Sequence, residues 1–107
     1  MTFVHLEDLP QKEIVPGYHV RFVHSENMTI AYWDVDEGAT LPLHSHPHEQ
    51  IAHVMVGTFE LQVGGEKKVV KPGDVCIIPG GVEHTGTAIT KCRLIDVFHP
   101  VREDYRT

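Results

Sequence analysis

Residues 50–81 read QIAHVMVGTFELQVGGEKKVVKPGDVCIIPGG, and no part of them has the spacing of an amphipathic helix. Residues 50–56 form an apolar run closed by Gly57. Residues 58–63 follow and stop at Gly64-Gly65, residues 66–71 return to Pro72-Gly73, and residues 74–78 end at Pro79-Gly80-Gly81. Short runs rich in Val, Ile and Phe, alternating in polarity and separated by Gly and Pro, are strands joined by turns. The Gly64-Gly65 pair accepts positive φ at both positions, which suits the twisted turn of a two-residue hairpin.

The same rhythm extends outward on both sides. Residues 28–35 (MTIAYWDV) read as a strand broken by Asp36-Glu37-Gly38, and residues 82–88 and 89–98 as two more, the last stopped by Pro100. Turn signals arrive about every 8 to 12 residues, the pattern of a sandwich or barrel. At 107 residues the expectation is one all-β domain, 1–107. Residues 1–18 are polar, carry Pro10 and Pro16-Gly17, and read as an extended arm. The tail 102–106 reads as a turn of helix or as coil.

Fifteen acidic against nine basic residues leave a formal charge of -6, which argues against nucleic acid or an anionic membrane as partner. No apolar run approaches the ~18 residues of a membrane span. The first residues lack the basic and apolar regions of a signal peptide, so a cytoplasmic location is expected. Cys76 and Cys92 have no C-x-x-C spacing and read as two buried or half-buried thiols.

Histidine is the compositional outlier, at nine residues as numerous as Lys and Arg together. In His44-Ser45-His46 the two imidazoles share one face of a strand, and Gln50 has their parity. His84 follows the Pro79-Gly80-Gly81 turn. Three imidazoles and an amide oxygen make a divalent metal site if the fold brings them together. His48 shares the parity too, but Pro47 disturbs the strand, so it reads as a loop neighbour. Glu49 and His53 have the opposite parity, and His53 suits the surface or a dimer contact.

The spacing resembles the cupin superfamily. Its first motif, G-x5-H-x-H-x3-E-x6-G, matches Gly38, His44, His46 and Gly57, with Gln50 in place of Glu. Its second, G-x5-P-x-G-x2-H-x3-N, matches Gly73, Pro79, Gly81 and His84, with Ala88 in place of Asn. The resemblance implies a double-stranded β-helix, the cupin jelly-roll barrel, with a metal bound by His44, His46, Gln50 and His84. Replacing Glu by Gln leaves every protein ligand neutral, so a dication keeps its full charge for an anionic ligand. A three-His, one-amide set suits Ni, Zn, Fe, Co or Mn.

Longer stretches, His44 to Ile51 and Asp96-Val97-Phe98-His99-Pro100-Val101-Arg102-Glu103-Asp104-Tyr105, resemble the small pectin-degradation cupins of the KdgF type. That resemblance implies an isomerase opening cyclic 4,5-unsaturated monouronates, from pectin or alginate, into linear 5-keto uronates. It implies a small anionic sugar as substrate, Asp96 as proton carrier, Arg102 as carboxylate clamp or gate, and Phe98 as pocket wall. Asp96 facing solvent, and Arg102 in a surface ion pair, are the plainer alternatives. The same barrel hosts metal-dependent dioxygenases and non-catalytic sugar-binding modules, which remain rival readings. Trp33 and Tyr32 read as core or interface. A homodimer is expected, with the arm packed or exchanged to cover a sheet edge.

Overall fold

The computed structural model describes residues 2–106; Met1 and Thr107, the ends of the expected domain, lie outside the described residues. Ten strands follow one another: β1 (Lys12–Val15), β2 (Tyr18–His24), β3 (Thr29–Val35), β4 (Thr40–His44), β5 (Glu49–Val56), β6 (Phe59–Val63), β7 (Glu66–Val70), β8 (Val75–Ile78), β9 (His84–Ala88) and β10 (Cys92–His99). Single 3-10 turns at Leu6–Asp8 and Glu103–Tyr105 lie near the two ends. The tail was expected as coil or a turn of helix, and the second of these turns is what it forms.

The strands make two antiparallel sheets, β1-β2-β3-β10-β5-β8 and β4-β9-β6-β7, the two walls of a jelly-roll barrel. Alternation is strict in β3, β9 and β10, where every second residue is buried. Between the walls Val20, Ala31, Val35 and Ala88 are fully enclosed, with Tyr18, Trp33, Phe59 and Phe98 beside them. Each buried Val or Phe contributes roughly 1.5–3 kcal/mol of transfer free energy.

The boundaries differ from the sequence reading in informative places. The strand expected over 82–88 starts only at His84, because Val82 N–H closes a turn on Pro79 O (3.3 Å). The one expected over 89–98 starts at Cys92, because Ile89 and Thr90 both donate to Thr58 O and turn the chain. Strand β4 contains Pro42, a strand breaker tolerated here because β4 is a sheet edge. The stretch 1–18 carries β1, which pairs with β2 of its own chain across a turn where Gly17 has φ 83°. Cys76 is half-buried and Cys92 buried, both as free thiols. Among the described residues no helix is long and apolar enough to cross a membrane.

Candidate metal centre

Strand pairing assembles the histidines. His44 ends β4 and stands in register opposite His84, the first residue of β9, with ring centroids 4.2 Å apart. His46 lies two residues beyond β4, and its carbonyl accepts from Gly81 N–H at 2.8 Å, which ties the turn before His84 to the loop carrying His46. The approach is close: a side chain on Gly80 would collide with the Pro47 carbonyl, so only glycine fits there. Gln50 enters from β5, in the other sheet. The ligand atoms of His44, His46 and His84 all lie within 4.8 Å of one another.

Each imidazole is oriented by its own chain. Nδ1 of His44 contacts Pro42 O (2.7 Å), Nδ1 of His46 contacts His48 O (3.1 Å), and Nδ1 of His84 contacts Val82 O (2.9 Å). A carbonyl accepts only, so each contact places the ring proton on Nδ1 and leaves an Nε2 lone pair. Burial depresses the pKa of His46 to about 4, with the Arg102 charge adding to the effect, and burial likewise lowers that of His84. Both rings are therefore neutral at pH 7.

Two observations test whether this set fits a cation. Nε2 of His84 is buried with no hydrogen-bond partner. Nε2 of His46 lies 3.0 Å from Gln50 Oε1, while the single proton of the neutral ring is committed to His48 O. The Gln50 side chain also bonds to Asp96, a role that falls to its amide nitrogen and leaves the oxygen facing His46. A lone pair and a carbonyl oxygen face each other without a proton between them, and one lone pair is orphaned. A divalent cation satisfies all of these at once, and the residues present fit it.

The remaining residues singled out from the sequence line the same cavity, of about 310 Å³. Asp96, on the inner face of β10, is buried among apolar walls, not solvated. Burial raises its pKa to about 6, against the opposing pull of hydrogen bonds from Gln50 and Trp33. Phe98 follows on the same face, its ring centroid 5.5 Å from that of His46 in an edge-on contact. Arg102 is 6% exposed, so it is no surface salt bridge. Its Nε and Nη2 donate to the two carboxylate oxygens of Asp104 (3.0 and 2.7 Å). Its guanidinium carbon lies 4.7 Å from the Phe98 ring centroid and 4.2 Å from that of Tyr105.

Three participants were not singled out from sequence. Trp33, read as core or interface, donates its indole N–H to Asp96 Oδ2 at 2.9 Å. Asp104 and Tyr105 hold Arg102, and their only sequence signal was membership of the quoted C-terminal run. His48 contributes its carbonyl to His46, while its own Nδ1 is buried and unpaired. Glu49 is exposed and His53 half-buried on the outer face of β5.

Comparison with known proteins agrees with this architecture. The profile of the Cupin domain matches residues 31–98. The pectin degradation protein KdgF of Dickeya dadantii is 29% identical over 102 residues, 92% of this chain and 93% of that protein. The structure of KdgF from Halomonas sp. superposes with a TM-score of 0.90 at 29% identity, covering 97% of each chain. An RmlC-like cupin from Shewanella frigidimarina superposes with a TM-score of 0.92 at 30% identity, over 98% of this chain and 96% of that one. With the family profile spanning both histidine motifs and the barrel matching along its length, the chain belongs to the cupin domain family.

Proposed function

We propose that this protein is a metal-dependent isomerase that converts cyclic 4,5-unsaturated monouronates, released from pectin or alginate, into linear 5-keto uronates. The observation that carries the reading is the placement of Asp96, buried and with its pKa raised to about 6, beside the His44, His46, His84 and Gln50 cluster and Arg102 in one cavity. The likeness to two proteins named KdgF supports the substrate class.

His44, His46, His84 and Gln50 would hold the ion, whose Lewis acidity, uncompensated by any anionic ligand, would favour a carboxylate and an enolate-like oxygen. Arg102 supplies the second cationic contact for the substrate carboxylate. Asp104 already engages Nε and Nη2, which leaves Nη1 for the ligand, while Phe98 and Tyr105 hold the guanidinium plane.

Asp96 moves the proton. As carboxylate it takes the proton from the C1 hydroxyl; the bond between C1 and the ring oxygen breaks, its electron pair staying on that oxygen, which leaves an aldehyde at C1 and an enolate at C5. As carboxylic acid it returns the proton to C4, and the C5 enolate becomes the ketone. Nothing is gained or lost, as an isomerisation requires. A pKa near 6 lets one group serve both steps near neutral pH.

The test is turnover of unsaturated galacturonate, followed by loss of the C4=C5 absorption with dissolved oxygen recorded alongside. Bleaching without oxygen uptake and without a change in product mass supports the isomerase. Stoichiometric oxygen consumption assigns the site to a dioxygenase, and tight binding without turnover assigns it to a sugar-binding module.

A further inference from the structure

Among the described residues six polar or charged side chains are buried: His46, Gln50, His84, Asp96, Arg102 and Thr29. The first five line the metal cavity; Thr29 does not, and it is the most enclosed of the six at 0% exposure. Threonine is rarely buried so completely, and a buried hydroxyl left without partners is costly. The contacts of Thr29 account for its burial.

Thr29 opens β3 on its inner face, in register opposite His24 of β2 on one side and Phe98 of β10 on the other. The same row continues from Phe98 to Gln50 of β5. Oγ1 of Thr29 accepts the backbone N–H of Arg102 at 2.9 Å, a buried bond across 73 positions of the chain. It also lies 2.8 Å from Nδ1 of His24, the acceptor for the hydroxyl's own proton.

This bond falls where the sheet stops holding the chain. The β10 register ends at the pairs of Phe98 with Thr29 and of His99 with Glu49, and Arg102 lies beyond both. A buried backbone N–H outside the ladder needs a partner, and the Thr29 side chain supplies it. On its other side Arg102 is held by Tyr105, whose N–H closes the 3-10 turn on Arg102 O at 3.0 Å. The β2–β3 hairpin reaches the guanidinium as well, through stacked rings. His24 lies on Phe22 (centroids 5.8 Å apart, 22° between planes), and Phe22 lies on Tyr105 (4.5 Å, 22°). The Tyr105 ring in turn carries the guanidinium of Arg102 at 4.2 Å. One hairpin therefore holds both the backbone of Arg102 and its side chain.

We infer that Thr29, backed by His24, is a positioning residue that sets where Arg102 meets the carboxylate of a ligand in the cavity. The inference rests on the proposed role of Arg102 as a carboxylate contact and not on the isomerisation itself. Thr29 touches no ligand and acts through the Arg102 amide. Thr29→Val keeps the shape of the side chain and removes the hydroxyl, which leaves a buried N–H unpaired. Residues 100–102 then relax away from β3 to find that N–H another partner, and a shift of about 1 Å is enough to spoil a positioned contact.

The test is calorimetric binding of galacturonate, which has the carboxylate and lacks the C4=C5 bond, to the Zn²⁺-loaded protein, with turnover of unsaturated galacturonate measured in parallel. Thr29→Val should weaken galacturonate binding about 10-fold and raise KM as much, with kcat nearly unchanged. Thr29→Ser restores the hydroxyl and should stay within about twofold of the wild type. Zn²⁺ affinity should not move in either variant. In an Arg102→Ala background the clamp is already gone, so Thr29→Val should have no further effect, as expected of a residue that acts through another. Should circular dichroism show Thr29→Val unfolded, His24→Phe carries the test: it keeps the stack on Phe22, frees the hydroxyl and should weaken galacturonate about threefold. A wild type that does not bind galacturonate, wild-type affinity in Thr29→Val, an equal loss in Thr29→Ser, or additive losses in the double variant would each overturn the inference. Galacturonate binding weakened by Thr29→Val in a protein that leaves the unsaturated sugar unchanged would uphold it and remove the isomerase reading instead.

Discussion

Trp33 donates its indole N–H to Asp96 Oδ2 at 2.9 Å, a buried bond between residues on paired strands 63 positions apart in the chain. Trp33 and Asp96 are not direct cross-strand partners: Asp96 stands opposite Ala31, and Trp33 reaches it diagonally from two residues further along the same face. The indole thereby stabilises the anion that burial disfavours, and it fixes the Oδ2 oxygen of the carboxylate.

Trp33→Phe removes that donor and keeps most of the packing. The Asp96 pKa should rise above its present value of about 6, moving the acidic limb of the kcat/KM profile to higher pH. Activity at pH 7 should fall about 10-fold and recover partly at pH 8. A uniform loss across the profile would show that the indole only packs.

Asp104→Asn keeps the shape of the Arg102 clamp and removes its charge. With the guanidinium freer to move, KM for an unsaturated uronate should rise about 10-fold while kcat changes little. Equal losses in kcat and KM-corrected efficiency would instead place Arg102 in transition-state stabilisation.

Gln50→Glu adds an anionic ligand and deletes the amide donor to Asp96. Divalent metal affinity measured by calorimetry should increase. The new like charge should raise the Asp96 pKa further, so the pH optimum should move up. His84→Ala should instead abolish tight metal binding and the stabilisation of Tm by added metal.

The metal-free protein should lose stability as pH falls from 7 to 5. His46 and His84 have folded pKa values below their unfolded ~6.5, so their contribution is complete above pH 6.5 and disappears as the unfolded chain gains protons it cannot keep on folding. Asp96 works in the opposite sense: raised to about 6, it contributes fully below ~4 and loses that contribution as pH rises through 6. Two histidines against one carboxyl leave a net decline toward acid. Thermal melts in chelator at pH 5 and 7 measure it, and an equal or higher Tm at pH 5 would contradict the burial of the two rings.

Alternating side chains and Gly-Pro punctuation were enough to read an all-β chain, because strand period and turn conformation are local properties written in adjacent residues. The spacing of His44, His46 and His84 around two glycine turns was legible for the same reason: a motif of fixed length is a local constraint repeated. Local pattern did not decide which sheet face is apolar, since that depends on register across five strands drawn from positions 23 to 97. Nor did it separate Arg102 as a buried, carboxylate-clamped cation from Arg102 as a surface ion pair, or Trp33 as packing from Trp33 as a donor to Asp96. Burial and hydrogen bonding belong to the three-dimensional neighbourhood, and the partners that make these residues functional are brought together only when the two sheets close.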